Sequence, residues 1–308
     1  MSKSKKQPRP GKPPTDPSSR NPAGLPRKPR APRPPAWRGR IGLIVAFFAI
    51  TIGGGYLVMY GNDLFGLLGL APDKIPSYGF RVVAKYPHDS SAFTEGLLYH
   101  DGTLYESTGP EGQSTLRKID LASDQVRIVK LDPKYFGEGL VLWRDRLIQL
   151  TYDSELAMCY DLQLKPLEQT YRYEGQGWGL THDGQFLIMS NGTSELQFRN
   201  PETFALDHRL PVTAGGRRAS RLNELEYVDG KIYANVWHDD RILEIDPQSG
   251  YVTARIDLRN LLPREQRPNH PEAVLNGIAY NTESKRFIVT GKYWPYLYEI
   301  ELVPPNKK

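Results

Sequence analysis

The chain has 308 residues, with 40 Lys or Arg against 35 Asp or Glu, a net charge of +5, and a single cysteine, Cys159, which excludes an intramolecular disulfide framework. The positive balance is not spread along the chain. Residues 1–40 carry twelve Lys or Arg against one acid, Asp16, so the remainder is acidic, the positive balance says nothing in favour of nucleic-acid binding by the folded part, and no aromatic-interleaved basic face appears there.

Taken in order, residues 1–40 are basic and Pro-rich, cannot bury a core, and are expected to form a disordered tail. Residues 41–60, IGLIVAFFAITIGGGYLVMY, run without a charge for twenty positions. At about 1.5 Å per residue that length matches a hydrocarbon core of about 30 Å, which predicts a single transmembrane helix. A cleaved secretory signal is the competing reading, but the leader is long for one and no small-x-small site directly follows the apolar run. The excess of Lys and Arg on the N-terminal flank predicts a single-pass inner-membrane protein with a cytoplasmic N-terminus and a periplasmic folded part. A partly apolar juxtamembrane connector is expected over 61–77, the globular domain over 78–303, and a short C-terminal tail over 304–308.

Within 78–303 one short phrase occurs five times: FTEGL (93–97), GEGL (137–140), GWGL (177–180), LNEL (222–225) and LNGI (275–278). The phrases place Glu95, Glu138, Trp178, Asn223 and Asn276 in register at spacings of 43, 40, 45 and 53. Each is followed by a hairpin, for which Asp-Gly at 101–102, 183–184 and 229–230 is the clearest signal, because primed turns demand positive φ. An outer run ending at another turn comes next, as in LRKIDLAS, MCYDLQ and LEIDPQSG. Strand-like units at a period of about 40–50 residues with almost no helical periodicity predict an all-β, five-bladed β-propeller whose register residues line a central funnel. An irregular β-sandwich is the bland alternative. Cys159, in the apolar run MCYDL, reads as buried filler.

Together FTEGL, YFGEGL (135–140), GWGLTHDG (177–184), RLNELEY (221–227), NVW (235–237), LNGIAY (275–280) and TGKYWP (290–295) resemble the plant and bacterial type of glutaminyl-peptide cyclotransferase, a five-bladed propeller. The resemblance covers nearly all of 78–303. It implies an enzyme that closes the N-terminal glutamine of a peptide or protein into pyroglutamate, the free α-amine attacking the γ-carboxamide and ammonia leaving. On the family's pattern Glu138 matches the catalytic glutamate, serving as base and then acid. A carboxyl walled by Phe136, Trp178 and Trp237 is expected to have a raised pKa. Phe93, Glu95, Phe136, Tyr152, Trp178, Asn223, Trp237 and Lys292 stand at the positions the resemblance implies for substrate binding, with Asn223 or Lys292 as donor to the developing oxyanion. Glu106 and Ser107 also belong to the pattern, and Asn276 falls in register without an assigned role.

Three positions depart from that pattern. The family usually has Gln where this chain has Glu95, Trp where it has Tyr152, and LYG where PEG stands at 110–112. Glu95 facing Glu138 would hold one of the two carboxyls protonated or bring a cation into the funnel. The six histidines show no pair at ligand spacing, so no catalytic metal and no required cofactor are expected, while a structural calcium held by funnel carbonyls is compatible with the fold. A calcium-assisted propeller lactonase or esterase, using Glu95, Glu138, Asn223 and Asn276, is the enzymatic alternative. The non-enzymatic one is a membrane-tethered peptide-binding propeller. A closed propeller leaves no open sheet edge, so a monomer is expected.

Overall fold

The computed structural model describes residues 75–305. The basic tail, the span predicted at 41–60 and most of the predicted connector lie outside the described residues, among which no helix is long and apolar enough to cross a membrane. The described part is all-β apart from one 3-10 turn at Arg264–Gln266.

The strands are β1 (Ser77–Pro87), β2 (Phe93–His100), β3 (Thr103–Gly109), β4 (Thr115–Asp120), β5 (Gln125–Lys130), β6 (Gly137–Trp143), β7 (Arg146–Thr151), β8 (Leu156–Asp161), β9 (Pro166–Arg172), β10 (Leu180–His182) and β11 (Leu187–Met189). They continue as β12 (Glu195–Arg199), β13 (Leu206–Pro211), a small hairpin β14 (Thr213–Ala214) and β15 (Arg217–Arg218), β16 (Leu222–Val228), β17 (Lys231–Val236), β18 (Arg241–Ile245), β19 (Val252–Asp257), β20 (Leu275–Asn281), β21 (Arg286–Gly291) and β22 (Tyr296–Val303). Consecutive strands pair antiparallel as β2–β5, β6–β9, β10–β13 and β16–β19, and β20–β22 is completed by β1.

Apolar side chains from successive sheets pack against one another. Tyr105 and Leu116 meet Leu140 and Leu147, and Leu150 and Cys159 meet Leu180 and Leu187. Ile188 and Leu196 meet Leu225 and Ile232, Ile242 and Ile256 meet Ile278 and Val289, and Ala279 and Ile288 return to Leu97 and Leu104. That cyclic order makes the arrangement propeller-like, with the phrase-bearing strands β2, β6, β10, β16 and β20 as neighbours. Cys159 is buried in this core, and burial pushes its thiol up to about 11, as expected of filler.

Local chemistry accounts for the turns. Asp101 and Gly102 take φ of 46° and 76°, and Asp229 and Gly230 take 47° and 81°, the paired positive values of a type I′ hairpin. At 183–184 the chain makes a wider turn instead, in which Asp183 Oδ1 accepts from the amides of Gln185 (2.8 Å) and Phe186 (2.7 Å).

Two features lay beyond the repeat pattern. Each sheet has a fourth, outer strand, and β5, β9 and β13 are so exposed that their sequences lack the apolar alternation of the inner runs. β1, which precedes the first phrase, pairs antiparallel with β22 from Gly79↔Val303 to Pro87↔Tyr296, and its first two residues also pair parallel with β19. The N-terminal strand thus closes the sheet made by the C-terminal residues. A buried contact reinforces that closure. The His88 imidazole, just after β1, lies 2.7 Å from the Trp294 carbonyl and 2.9 Å from Glu106 Oε1, which also accepts from Thr94 Oγ1 at 2.6 Å. Burial would raise the Glu106 carboxyl, but His88 beside it holds it below the usual carboxylate range.

The small residue of each phrase is fixed by close approach between neighbouring sheets. A Cβ on Gly139 would lie 2.4 Å from the Trp178 carbonyl oxygen and 2.6 Å from the Leu180 amide nitrogen, and one on Gly179 would lie 2.2 Å from the Asn223 carbonyl oxygen. These are backbone atoms with nowhere to move. Gly139→Ala is therefore expected to destabilise the fold by about 3 kcal/mol, the upper range for overpacking, read as a lowered urea midpoint with an unchanged slope. In the fourth phrase this position is Glu224, whose carboxylate accepts from the Ile278 amide (2.7 Å) and the Leu97 amide (3.3 Å). It joins three sheets where glycine would leave a gap.

Candidate active site

The register residues are aimed inward by a repeated irregularity. In four phrases the inner strand carries one residue more than its partner: between Thr94 and Gly96, Gly137 and Leu140, Leu222 and Leu225, and Leu275 and Ile278. Each is a β-bulge, a device that bends a strand and re-aims a side chain. Glu95, Glu138, Asn223 and Asn276 sit on these bulges, and all four are buried, with 2%, 4%, 3% and 0% exposure.

Around them runs a collar of aromatic rings. Tyr293 packs on Phe93 (centroids 5.1 Å apart), Phe93 on Phe136 (6.0 Å), Phe136 on Tyr152 (5.6 Å), Tyr152 on Trp178 (6.5 Å) and Trp178 on Trp237 (5.9 Å). Apart from Phe93 these rings are only half-buried. The five aromatic positions expected from sequence, Phe93, Phe136, Tyr152, Trp178 and Trp237, are thus brought together, with Tyr293 as a sixth ring. Tyr152 fills its place in the collar although the family usually has Trp there, and its hydroxyl accepts from Gln176 Nε2 at 2.9 Å.

Glu95 and Lys292 form a buried ion pair, Nζ to Oε1 2.7 Å, and Lys292 also lies 4.3 Å above the Phe93 ring. The second Glu95 oxygen accepts from Asn276 Nδ2 (3.2 Å), which also donates to the Thr94 carbonyl (2.9 Å). Asn276, without a role at the level of sequence, therefore holds Glu95. Burial pushes the Glu95 carboxyl up to about 7 even though Lys292 opposes the shift, and Glu272 adds to it. The cation facing Glu95 is Lys292, so the Lys292 ammonium is committed to a carboxylate.

Glu138 is different. Its Oε2 is buried and has no hydrogen-bond partner among the described residues. Burial, and then the negative charge of Glu95, push its carboxyl well above the usual range, with Lys292 opposing. The Oδ1 atoms of Asn223 and Asn276 are likewise buried without partners. Three unsatisfied polar atoms on register residues are costly unless water or a ligand meets them. A carboxyl whose pKa is raised in this way is suited to give and take a proton, which an acid–base relay requires.

Other positions serve the frame. Ser107 accepts from Gln149 Nε2 at 2.7 Å and Glu106 belongs to the closure contact, so neither reaches the register residues. Sequence reasoning missed Glu272 and Tyr293. Tyr293 lay inside the quoted TGKYWP, whereas Glu272 comes from the loop between β19 and β20, where no repeat signal exists. A separate cavity of about 250 Å³ opens three residues further along the inner strands, lined by Leu98, Val141, Thr181 and Glu226, and none of the register residues borders it.

The comparisons with known proteins converge on one family. The family model for glutamine cyclotransferase matches residues 65–302. A glutaminyl-peptide cyclotransferase from Arabidopsis thaliana is 42% identical over 232 residues, covering 74% of this chain and 72% of the relative. Among solved structures, the crystal structure of Myxococcus xanthus glutaminyl cyclase superposes with a TM-score of 0.70 at 40% identity, covering 76% of this chain and all of that one. With the family model matching most of the chain and a relative 42% identical over 232 residues, this chain belongs to the glutamine cyclotransferase family.

Proposed function

We propose that the chain is a five-bladed propeller enzyme that converts the N-terminal glutamine of peptides or proteins to pyroglutamate and ammonia, with Glu138 as the proton relay. The buried, unpartnered Oε2 of Glu138 in the middle of the register residues carries the reading. The neutral α-amine attacks the γ-carbonyl carbon, a C–N bond forms, and the C–NH₂ bond breaks. Glu138 gives its proton to the departing nitrogen and recovers one from the attacking amine, so the carboxyl ends as it began. Asn223, buried on the corresponding bulge of another sheet and not engaged by a charged partner, is the donor for the oxyanion through its amide NH₂. Because attack is intramolecular, the collar contributes chiefly by holding the glutamine curled and dry.

The lactonase alternative would need Glu95 and Asn276 as cation ligands, but Glu95 faces Lys292 and Asn276 turns its NH₂ toward Glu95. The membrane anchor at 41–60, the periplasmic placement and the monomeric state remain part of the proposal, on the sequence features that suggested them. Incubating the full-length protein with a Gln-initiated dipeptide amide is expected to release one ammonia per peptide and to consume its free amine. Calcium-dependent lactone hydrolysis with no ammonia would overturn the cyclase reading.

A further inference from the structure

Charge at the mouth of the site is unevenly distributed. Glu95 is paired with Lys292 at 2.7 Å, and Glu138 is buried, its carboxyl pushed well above the usual range by that burial. Glu272 remains. Its side chain is 27% exposed, against 2% for Glu95, so it meets solvent at the rim. Oε2 accepts from the Trp237 indole N–H at 2.9 Å and Oε1 lies 3.2 Å from His238 Nε2, which fixes the carboxylate against the collar. Its backbone amide is held in turn by His270 Nδ1 (3.1 Å), and the His270 ring packs on Tyr293 (4.7 Å). The charge of Glu272 is felt inside, where it raises both the Glu95 carboxyl and the Tyr293 phenol.

Resting on the cyclase reading, we infer that Glu272 is a specificity residue that captures the substrate's α-ammonium at the rim, selecting chains with a free amino terminus. An α-amino group titrates near pH 8, so most of the substrate arrives as a cation. A carboxylate fixed at the N–H edge of the Trp237 indole offers that cation a charge-assisted hydrogen bond at the margin of the aromatic collar. An acetylated or internal glutamine carries no such cation. The ammonium gives up its proton to solvent at the open rim, and deeper in, where the amine must be neutral to attack, the acidic group is Glu138, whose carboxyl burial holds well above the usual range. Glu272 therefore acts on binding and Glu138 on turnover, and the two are separable in kinetics.

The test uses a Leu-initiated dipeptide amide, which carries the same α-ammonium but has no γ-carboxamide to cyclise, and its N-acetyl counterpart. Binding of each to the full-length protein is followed through tryptophan fluorescence. Wild type is expected to bind the free-amine form about tenfold more tightly, the value of one charge-assisted hydrogen bond. Glu272→Gln keeps an acceptor for Trp237 but is expected to bind both forms within about twofold, and to raise KM for the Gln-initiated peptide about tenfold with little change in kcat. Glu272→Asp keeps the charge and is expected to keep the preference. A Glu272→Gln variant that still prefers the free amine overturns the inference, and so does one that weakens both probes equally, which would make Glu272 only a brace for Trp237. Equal binding of the two probes by wild type also overturns it, without need of a folded variant. Since the probes do not react, failure to release ammonia from the Gln-initiated peptide would count against the cyclase reading and leave this comparison readable.

Discussion

Replacing Glu138 with Gln is expected to slow ammonia release about a thousandfold, within the 10²–10⁴ that a positioned acid–base group contributes. The substitution is mild in every other respect. Because burial and the neighbouring Glu95 charge push the Glu138 carboxyl well above the usual range, toward its neutral form, an amide of the same shape is expected to change little in the charge or the volume of the site. Thermal unfolding of the variant is therefore expected within a few degrees of wild type, corresponding to less than about 1 kcal/mol. The loss should fall on kcat with KM nearly unchanged, since the relay is engaged in the transition state and the collar still binds the peptide. A loss of activity accompanied by early unfolding would instead assign Glu138 to the frame.

Lys292→Met is the second large effect, and its first readout is stability. Removing one partner of a buried ion pair leaves the other charge uncompensated, at a cost of about 3–5 kcal/mol. Here the stranded group is Glu95, 2% exposed and held besides only by Asn276 Nδ2. Adding Glu95→Gln, the residue the family usually carries there, is expected to return most of the loss, because a neutral amide needs no cation. The pH dependence has a definite sign. The Glu95 carboxyl is raised in the fold to about 7, so the native state keeps a proton that the unfolded chain sheds near pH 4.5. Its contribution is fully present below about pH 4.5 and is lost as pH rises through 7. Without Lys292 the carboxyl moves higher still. Urea midpoints of the single variant should therefore fall more steeply between pH 5 and 8 than those of wild type, and the double variant should lose that extra slope.

How much of this was legible in the sequence depends on the range of the interaction. Asp101-Gly102 and Asp229-Gly230 announce their hairpins because the turn is decided by two adjacent residues. The five phrases announce a ring because each must supply a small or bulged residue where neighbouring inner strands meet, and Gly139 and Gly179 are where that contact is tightest. β1 gave no such sign, since its partner β22 lies more than two hundred residues away and its own repeat unit is split between the two ends of the domain. The outer strands β5 and β9 were hidden for a different reason: facing solvent, they carry no buried face to impose alternation. In the site, register aimed Glu95, Glu138, Asn223 and Asn276 at one place, but it could not pair Glu95 with Lys292, a contact across 197 positions. Glu272 was out of reach, as it hangs from a loop outside the repeat and meets the collar through the Trp237 indole, with His238 and His270 beside it.

The account turns on the protonation state of one side chain. Infrared difference spectroscopy between wild type and Glu138→Gln isolates the carboxyl band of that residue and can be followed from pH 5 to 10. The account predicts a neutral carboxylic acid band at pH 7 that disappears at higher pH together with the alkaline fall of kcat for a Gln-initiated peptide. A carboxylate band already present at pH 6, or a kcat that stays level while the acid band vanishes, would contradict it.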